Sequence, residues 1–148
     1  MRVNGKQHYL WRAIDRDGEV VDVYLQENRD GAAAKRFFKR LLRRHGEKPG
    51  KIVTDKLRSY PVAHWEIMPD AIHVTDRHVN NRIEQSQEAT RVRERGMRKF
   101  KSKVQAQRFA DAFAAVQNLF NLGRHLVRAK HYRNLRVPAF EEWRTVVA

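Results

Sequence analysis

The chain contains no cysteine, so neither a disulfide framework nor a thiolate zinc site can stabilise it. It also lacks any apolar run of membrane length and any leader-like apolar segment, which points to a cytoplasmic protein with no membrane partner. Internal repeats and low-complexity linkers are missing too, and 148 residues with 41% hydrophobic character suit one domain with a real core. Acids are scarce. Asp and Glu number 17 against 31 Lys and Arg, giving a formal charge of +14 and a pI near 10.7, the electrostatic footprint of a polyanion partner. Charge alone fits a ribosomal or other RNA-binding protein equally well.

What is present reads as alternating strands and helices. His8–Ile14 and Glu19–Gln26 are β-rich runs joined by Asp15-Arg16-Asp17-Gly18, an antiparallel hairpin. Asp30 is placed to cap a helix through His45, with Ala34, Phe37, Phe38, Leu41 and Leu42 as its apolar stripe. Its Lys35, Arg36, Lys39, Arg40 and Arg43 are expected to face water or phosphate, and Gly46 with Pro49-Gly50 ends it. Lys51–Thr54 predicts a short strand delivering Asp55, Ser59–Met68 a short helix with Pro61 in its first turn, and His73–Thr75 a last strand. Asn81 is positioned as N-cap of a helix holding Glu84. From Lys103, the spacing of Phe109, Phe113, Val116 and Phe120, with Ala112 and Leu119 beside them, predicts a long amphipathic helix loosened at Gly123. Those aromatics are expected in the core, and Pro138 is expected to separate Tyr132 from Trp143.

The chemistry concentrates between Lys51 and Ser102. Asp55 stands at a strand end, and Glu84 on a helix wrapped in positive charge: from Arg82 to Arg108 there are nine basic residues against three acids. Two Mg²⁺ ions about 3.5–4 Å apart can stabilise both oxygens of an in-line phosphoryl displacement, provided carboxylates on rigid elements hold them. The plainer alternative makes Asp55 a turn cap and Glu84 a first-turn helix acid favoured by the macrodipole. His64, His73 and His78 lie nearby but share no metal-site spacing, and hard Mg²⁺ prefers oxygen.

The ordered set Val53-Thr54-Asp55-Lys56 with Ser59-Tyr60, Asn80-Asn81-Arg82-Ile83-Glu84, Arg91-Val92-Arg93-Glu94-Arg95 and Met97-Arg98-Lys99-Phe100-Lys101-Ser102 resembles the DDE transposases of bacterial insertion sequences, in particular the insertion sequence 6 family. The resemblance runs from Asn4-Gly5-Lys6 to Phe140-Glu141-Glu142-Trp143-Arg144. It implies a single DDE catalytic domain over 1–148 with an α/β, ribonuclease H-like fold: a mixed sheet flanked by helices, with long C-terminal helices. It implies Asp55 and Glu84 as the second and third catalytic, metal-binding acids, with Mg²⁺ or Mn²⁺ as cofactor. Lys56, Arg91, Arg93, Arg95, Arg98, Lys99 and Lys101 are the implied DNA contacts. The implied partners are the element's terminal inverted repeats and target DNA, engaged by a homo-oligomer at the nucleoid.

The family's first acid lies on the opening strand, ahead of the segment that reads here Arg2-Val3-Asn4-Gly5-Lys6, and no residue matches it. Asp15 and Asp17 belong to the hairpin turn and Asp22 to the strand after it. The expectation is therefore a catalytic domain truncated at its N-terminus, its opening strand largely missing and Met1-Arg2-Val3 retaining the end of it. Gln87 replaces a common His and Ala89 a common Pro, which touches the positioning of terminal DNA rather than the class. Two functions follow: Mg²⁺-dependent DNA strand cleavage and transfer, inactive as given for want of the first Asp, or an inactive remnant with only non-specific DNA or RNA binding.

Overall fold

In a computed structural model, residues 1–55, 57–75, 87–95, 99–122 and 128–147 are described. The order is β1 (Arg2–Val3), β2 (Lys6–Gln7), β3 (Tyr9–Ile14), β4 (Val20–Gln26), α1 (Gly31–His45), β5 (Lys51–Val53), α2 (Ser59–Ile67), β6 (Ile72–Val74), a helical stretch α3 over 87–95, α4 (Lys103–Leu119) and α5 (Ala129–Val147). Strand pairing is of both kinds: β1 with β2 and β3 with β4 are antiparallel, and β5 with β6 is parallel. The described strands thus make three two-stranded sheets in a mixed α/β fold, rather than one continuous mixed sheet.

The β3–β4 hairpin organises the rest. Its turn closes because the Asp15 carboxylate accepts the Asp17 and Glu19 amides at 2.9 and 2.8 Å, while Gly18 takes φ of 87°, which costs glycine little. Side chains then alternate between two faces. Trp11 packs with Phe37, Phe38, Ala63 and Met68, a cluster joined by Tyr24 and Ile52. On the opposite face, Leu25 packs with Val3, Phe100 and Ala106, and Val23 with Ala110 and Ala114. Helices therefore cover both faces. Full burial of a side chain such as Phe37 or Leu25 contributes about 1.5–3 kcal/mol.

The ends of α1 follow from local chemistry. Asp30 accepts the Ala33 amide at 2.7 Å, and Gly46 closes the helix in the left-handed region with its amide donating to Leu42. Its cations follow expectation only in part: Arg36, Lys39 and Arg43 are exposed, whereas Lys35 and Arg40 are half-buried. Arg40 and Arg44 both reach Asp22, whose carboxylate is fully buried, Arg36 donates to Gln26, and Lys35 pairs with Glu66. Lys39 and Arg43 are the exposed ones among those named from the sequence that have no such partner. A buried carboxylate disfavours folding unless paired, so Asp22 recruits arginines that periodicity alone would assign to solvent.

Against the hairpin, α4 uses small residues and amides. Ala106, Ala110 and Ala114 are its buried positions, whereas Phe109 packs half-buried against the core at Phe100, Phe113 stacks on Phe109, and Ala112 is exposed, so the aromatics expected in the core flank it rather than form its centre. The alanines let the helix approach closely. That approach lets Gln107 pair with the backbone of Val23 and Leu25, and Asn118 with Val20, at 2.7–3.0 Å. Side-chain amides thus satisfy an edge that would otherwise be free to pair with another chain. The last strand ends at Val74 and begins at Ile72, one residue earlier than expected. Pro138 separates nothing: it lies inside α5, exposed, where the missing backbone donor and the ring cost a hydrogen bond without ending the helix. Gly123 and the Asn81 cap lie outside the described residues.

Candidate nucleic-acid interface

Strand β5 delivers Asp55 through a short run fixed on both sides. The Thr54 amide donates to Val74 at 3.0 Å, and its hydroxyl donates to the Asp55 carbonyl at 3.0 Å. The carboxylate projects past the strand end, where Oδ1 accepts the Leu57 amide at 3.0 Å and Oδ2 accepts Arg29 Nη2 at 2.6 Å. The Asp55 and Arg29 side chains are 39% and 48% exposed, so water screens the pair. Tyr60 sits close by: burial first, and the Asp55 charge second, push its hydroxyl pKa upward against a smaller opposing pull from Arg29. Arg29 and Tyr60 are site neighbours that sequence reasoning missed. Nothing in a single sequence distinguishes Arg29 from the other arginines, although Tyr60 lies within the Ser59-Tyr60 motif.

Behind Asp55 lies a histidine pair. His64 and His73 stack with centroids 4.9 Å apart, His64 Nε2 donates to the Ala71 carbonyl at 2.7 Å, and His73 Nε2 meets the Thr54 hydroxyl at 2.7 Å. Since that hydroxyl gives its proton to Asp55, His73 donates to it, which fixes the tautomer. Burial, and then its neighbour His64, lower the pKa of His73 below the ordinary value of 6.5. The folded state thus prefers neutral His73, and its contribution is complete above pH 6.5 and declines as the pH falls toward the lowered pKa. The urea midpoint of the wild type is expected to drop more between pH 7.5 and 5.5 than that of His73→Gln. Equal drops would exclude His73 as a source of the pH dependence.

The cations divide sharply between elements. On α3, Arg91, Arg93 and Arg95 are exposed, as are Lys99 and Lys101 just beyond it, and among the described residues none of the five is in an ion pair. Those of α1 are largely consumed by Asp22, Gln26 and Glu66. Among the described residues, unpaired positive charge therefore lies on and beside α3 rather than on α1, and also on α5, where Lys130, Arg133, Arg136 and Arg144 are exposed. Lys56, Glu84 and Arg98 lie outside the described residues.

Two other aspartates are committed elsewhere. Asp22 is closed off by two arginines and Asp15 by its own turn, and the described residues hold no group of three His, Cys, Asp or Glu side chains placed to bind a metal ion. Asp55 by itself offers a single hard-oxygen carboxylate, which does not fit a metal pair.

A family described as a DDE domain matches residues 1–122. The chain is 38% identical over 99 residues to the transposase for insertion sequence-like element IS431mec of Staphylococcus aureus, a match covering 63% of this chain and 43% of the relative. The transposase for insertion sequence element IS257 in transposon Tn4003, also from Staphylococcus aureus, gives the same figures. An uncharacterized protein, pYV0051, of Yersinia pseudotuberculosis is 40% identical over 72 residues, covering 47% of this chain and 67% of that protein. The match spans less than half the length of the curated transposases. No solved structure matches the chain.

Proposed function

The chain belongs to the DDE-domain family of insertion-sequence transposases, and from that premise we propose that it is a single, ribonuclease H-like catalytic domain that acts on DNA during transposition. The observation that carries the reading is the presence in one chain of a strand-end aspartate, Asp55, and of a separate helix whose arginines have no acidic partner among the described residues. In this reading Asp55 and Glu84 would hold a divalent ion, Mg²⁺ or Mn²⁺, which supplies charge stabilisation for attack of water or a 3′-hydroxyl on a phosphodiester. The described residues alone hold no group of three potential metal ligands; what they would supply is the Asp55 carboxylate and a basic helix that binds and orients DNA. Lys56, Arg91, Arg93, Arg95, Arg98, Lys99 and Lys101 are the proposed phosphate contacts, with terminal repeats and target DNA as partners of a homo-oligomer.

A second reading, an inactive remnant that binds DNA or RNA without catalysis, is favoured by one observation: the described residues hold no group of three potential metal ligands. Both readings require binding to nucleic acid. A labelled duplex titrated with the purified chain is expected to bind with an affinity that falls steeply as salt rises, because neutralised phosphates release counterions. Absent or salt-independent binding contradicts both. No helix among the described residues is long and apolar enough to cross a membrane.

A further inference from the structure

Arg12 is buried on the face of the hairpin that α3 and α4 cover. Its Nη1 donates to Thr90 Oγ1 at 2.8 Å, and its Nη2 donates to Gln117 Oε1. Both acceptors are neutral, no ion pair among the described residues reaches the guanidinium, and its Nε is buried without a partner. Burial lowers its pKa to about 10, with no neighbouring acid to oppose the fall. A buried charge without a counter-ion disfavours the folded state, and a buried ionic group is often replaced by an apolar one of similar volume at no loss. Packing therefore does not account for an arginine at this position.

What the planar fork does supply is simultaneous reach to two helices. Thr90 belongs to α3 and directly precedes Arg91, and Gln117 belongs to α4, which is already fixed to β4 by Gln107 and Asn118. We propose that Arg12 is a positioning residue that gives up global stability to seat α3 on the hairpin, so that the arginines of 87–95 meet DNA phosphates in one fixed geometry. The DNA half of this rests on the proposed function; the seating of α3 does not.

The test compares amide hydrogen exchange, urea midpoint and duplex affinity in the full 148-residue chain and in Arg12→Met, Arg12→Lys and Thr90→Val. Exchange in 87–95 is expected to accelerate by about tenfold or more in Arg12→Met and in Thr90→Val while α1 keeps its protection, because local opening is freed without global unfolding. The urea midpoint of Arg12→Met is expected to equal or exceed that of the wild type, and its duplex affinity to fall. Lys, with one ammonium in place of a fork, is expected to be intermediate. If Arg12→Met does not fold, Thr90→Val decides, since it keeps the arginine and its bond to Gln117. Exchange in 87–95 within about twofold of wild type in the folded variants overturns the proposal. Faster exchange with unchanged duplex affinity upholds the seating of α3 and counts against α3 as the DNA surface.

Discussion

A purified polypeptide of these 148 residues is expected to give no Mg²⁺-dependent joining of a labelled terminal-repeat oligonucleotide to target DNA. Stabilising both the attacking and the leaving oxygen requires carboxylates that hold two ions a few ångströms apart. Asp55 contributes one, with an oxygen already accepting Arg29, and the described residues bring no group of potential ligands to it. The other aspartates near the start of the chain are unsuited. Asp15 holds its turn together, and the Asp22 carboxylate is fully buried between Arg40 and Arg44, from which it could be withdrawn only by stranding two charges. A longer polypeptide that supplies an aspartate on a strand ahead of Met1 is expected to join, and Asp55→Asn or Glu84→Gln in it to abolish joining while leaving duplex binding largely intact. Robust joining by the 148-residue chain would mean that the carboxylate count, or the assignment of Asp55, is wrong.

Elements whose determinants are local could be read directly from the chain. The α1 boundaries follow from an aspartate cap and a left-handed glycine, the hairpin from Asp15 and Gly18, and α2 from a proline that suits a first turn. Elements set by contacts distant in sequence could not. Which face of α4 is buried depends on how closely the hairpin approaches, and close approach selects Ala106, Ala110 and Ala114 over the larger phenylalanines that dominate the periodicity. Pro138 reads as a boundary, yet α5 runs through it on an exposed face. The candidate site shows the same division. Asp55 is announced by the apolar run before it, but Arg29 reaches it across 26 residues and Arg12 reaches Thr90 across 78, and no local pattern marks either contact. The cations of α1 and α3 look alike as sequence. Only the placement of Asp22, Gln26 and Glu66 distinguishes the tethered set from the free one.

On the proposed function the DNA path follows the free set on α3, and the expected effect of removing it is large. Each phosphate contact on duplex DNA contributes roughly 0.9 to the slope of log affinity against log salt. If Arg91, Arg95 and Lys99 all touch phosphates, replacing the three with Ala should flatten the slope by about two to three units, with weaker binding across unrelated sequences. Arg91 and Arg95 lie one helical turn apart on α3 and are expected to act together. Lys99 follows in a left-handed conformation, with φ of 46°, and contributes to the extent that the backbone keeps it beside them. The corresponding change on α1, Lys39 and Arg43 to Ala, removes the two exposed cations of that helix without a partner among the described residues and is expected to flatten the slope less, because the DNA path is proposed to follow α3.

The most direct test of the account is therefore the salt dependence of duplex binding by the Arg91→Ala, Arg95→Ala, Lys99→Ala triple variant, with its fold verified by circular dichroism. A slope flatter by about two to three units than that of the wild type is the predicted result. An unchanged slope in the folded variant, above all if the α1 variant flattens instead, would contradict it and move the DNA path to another face.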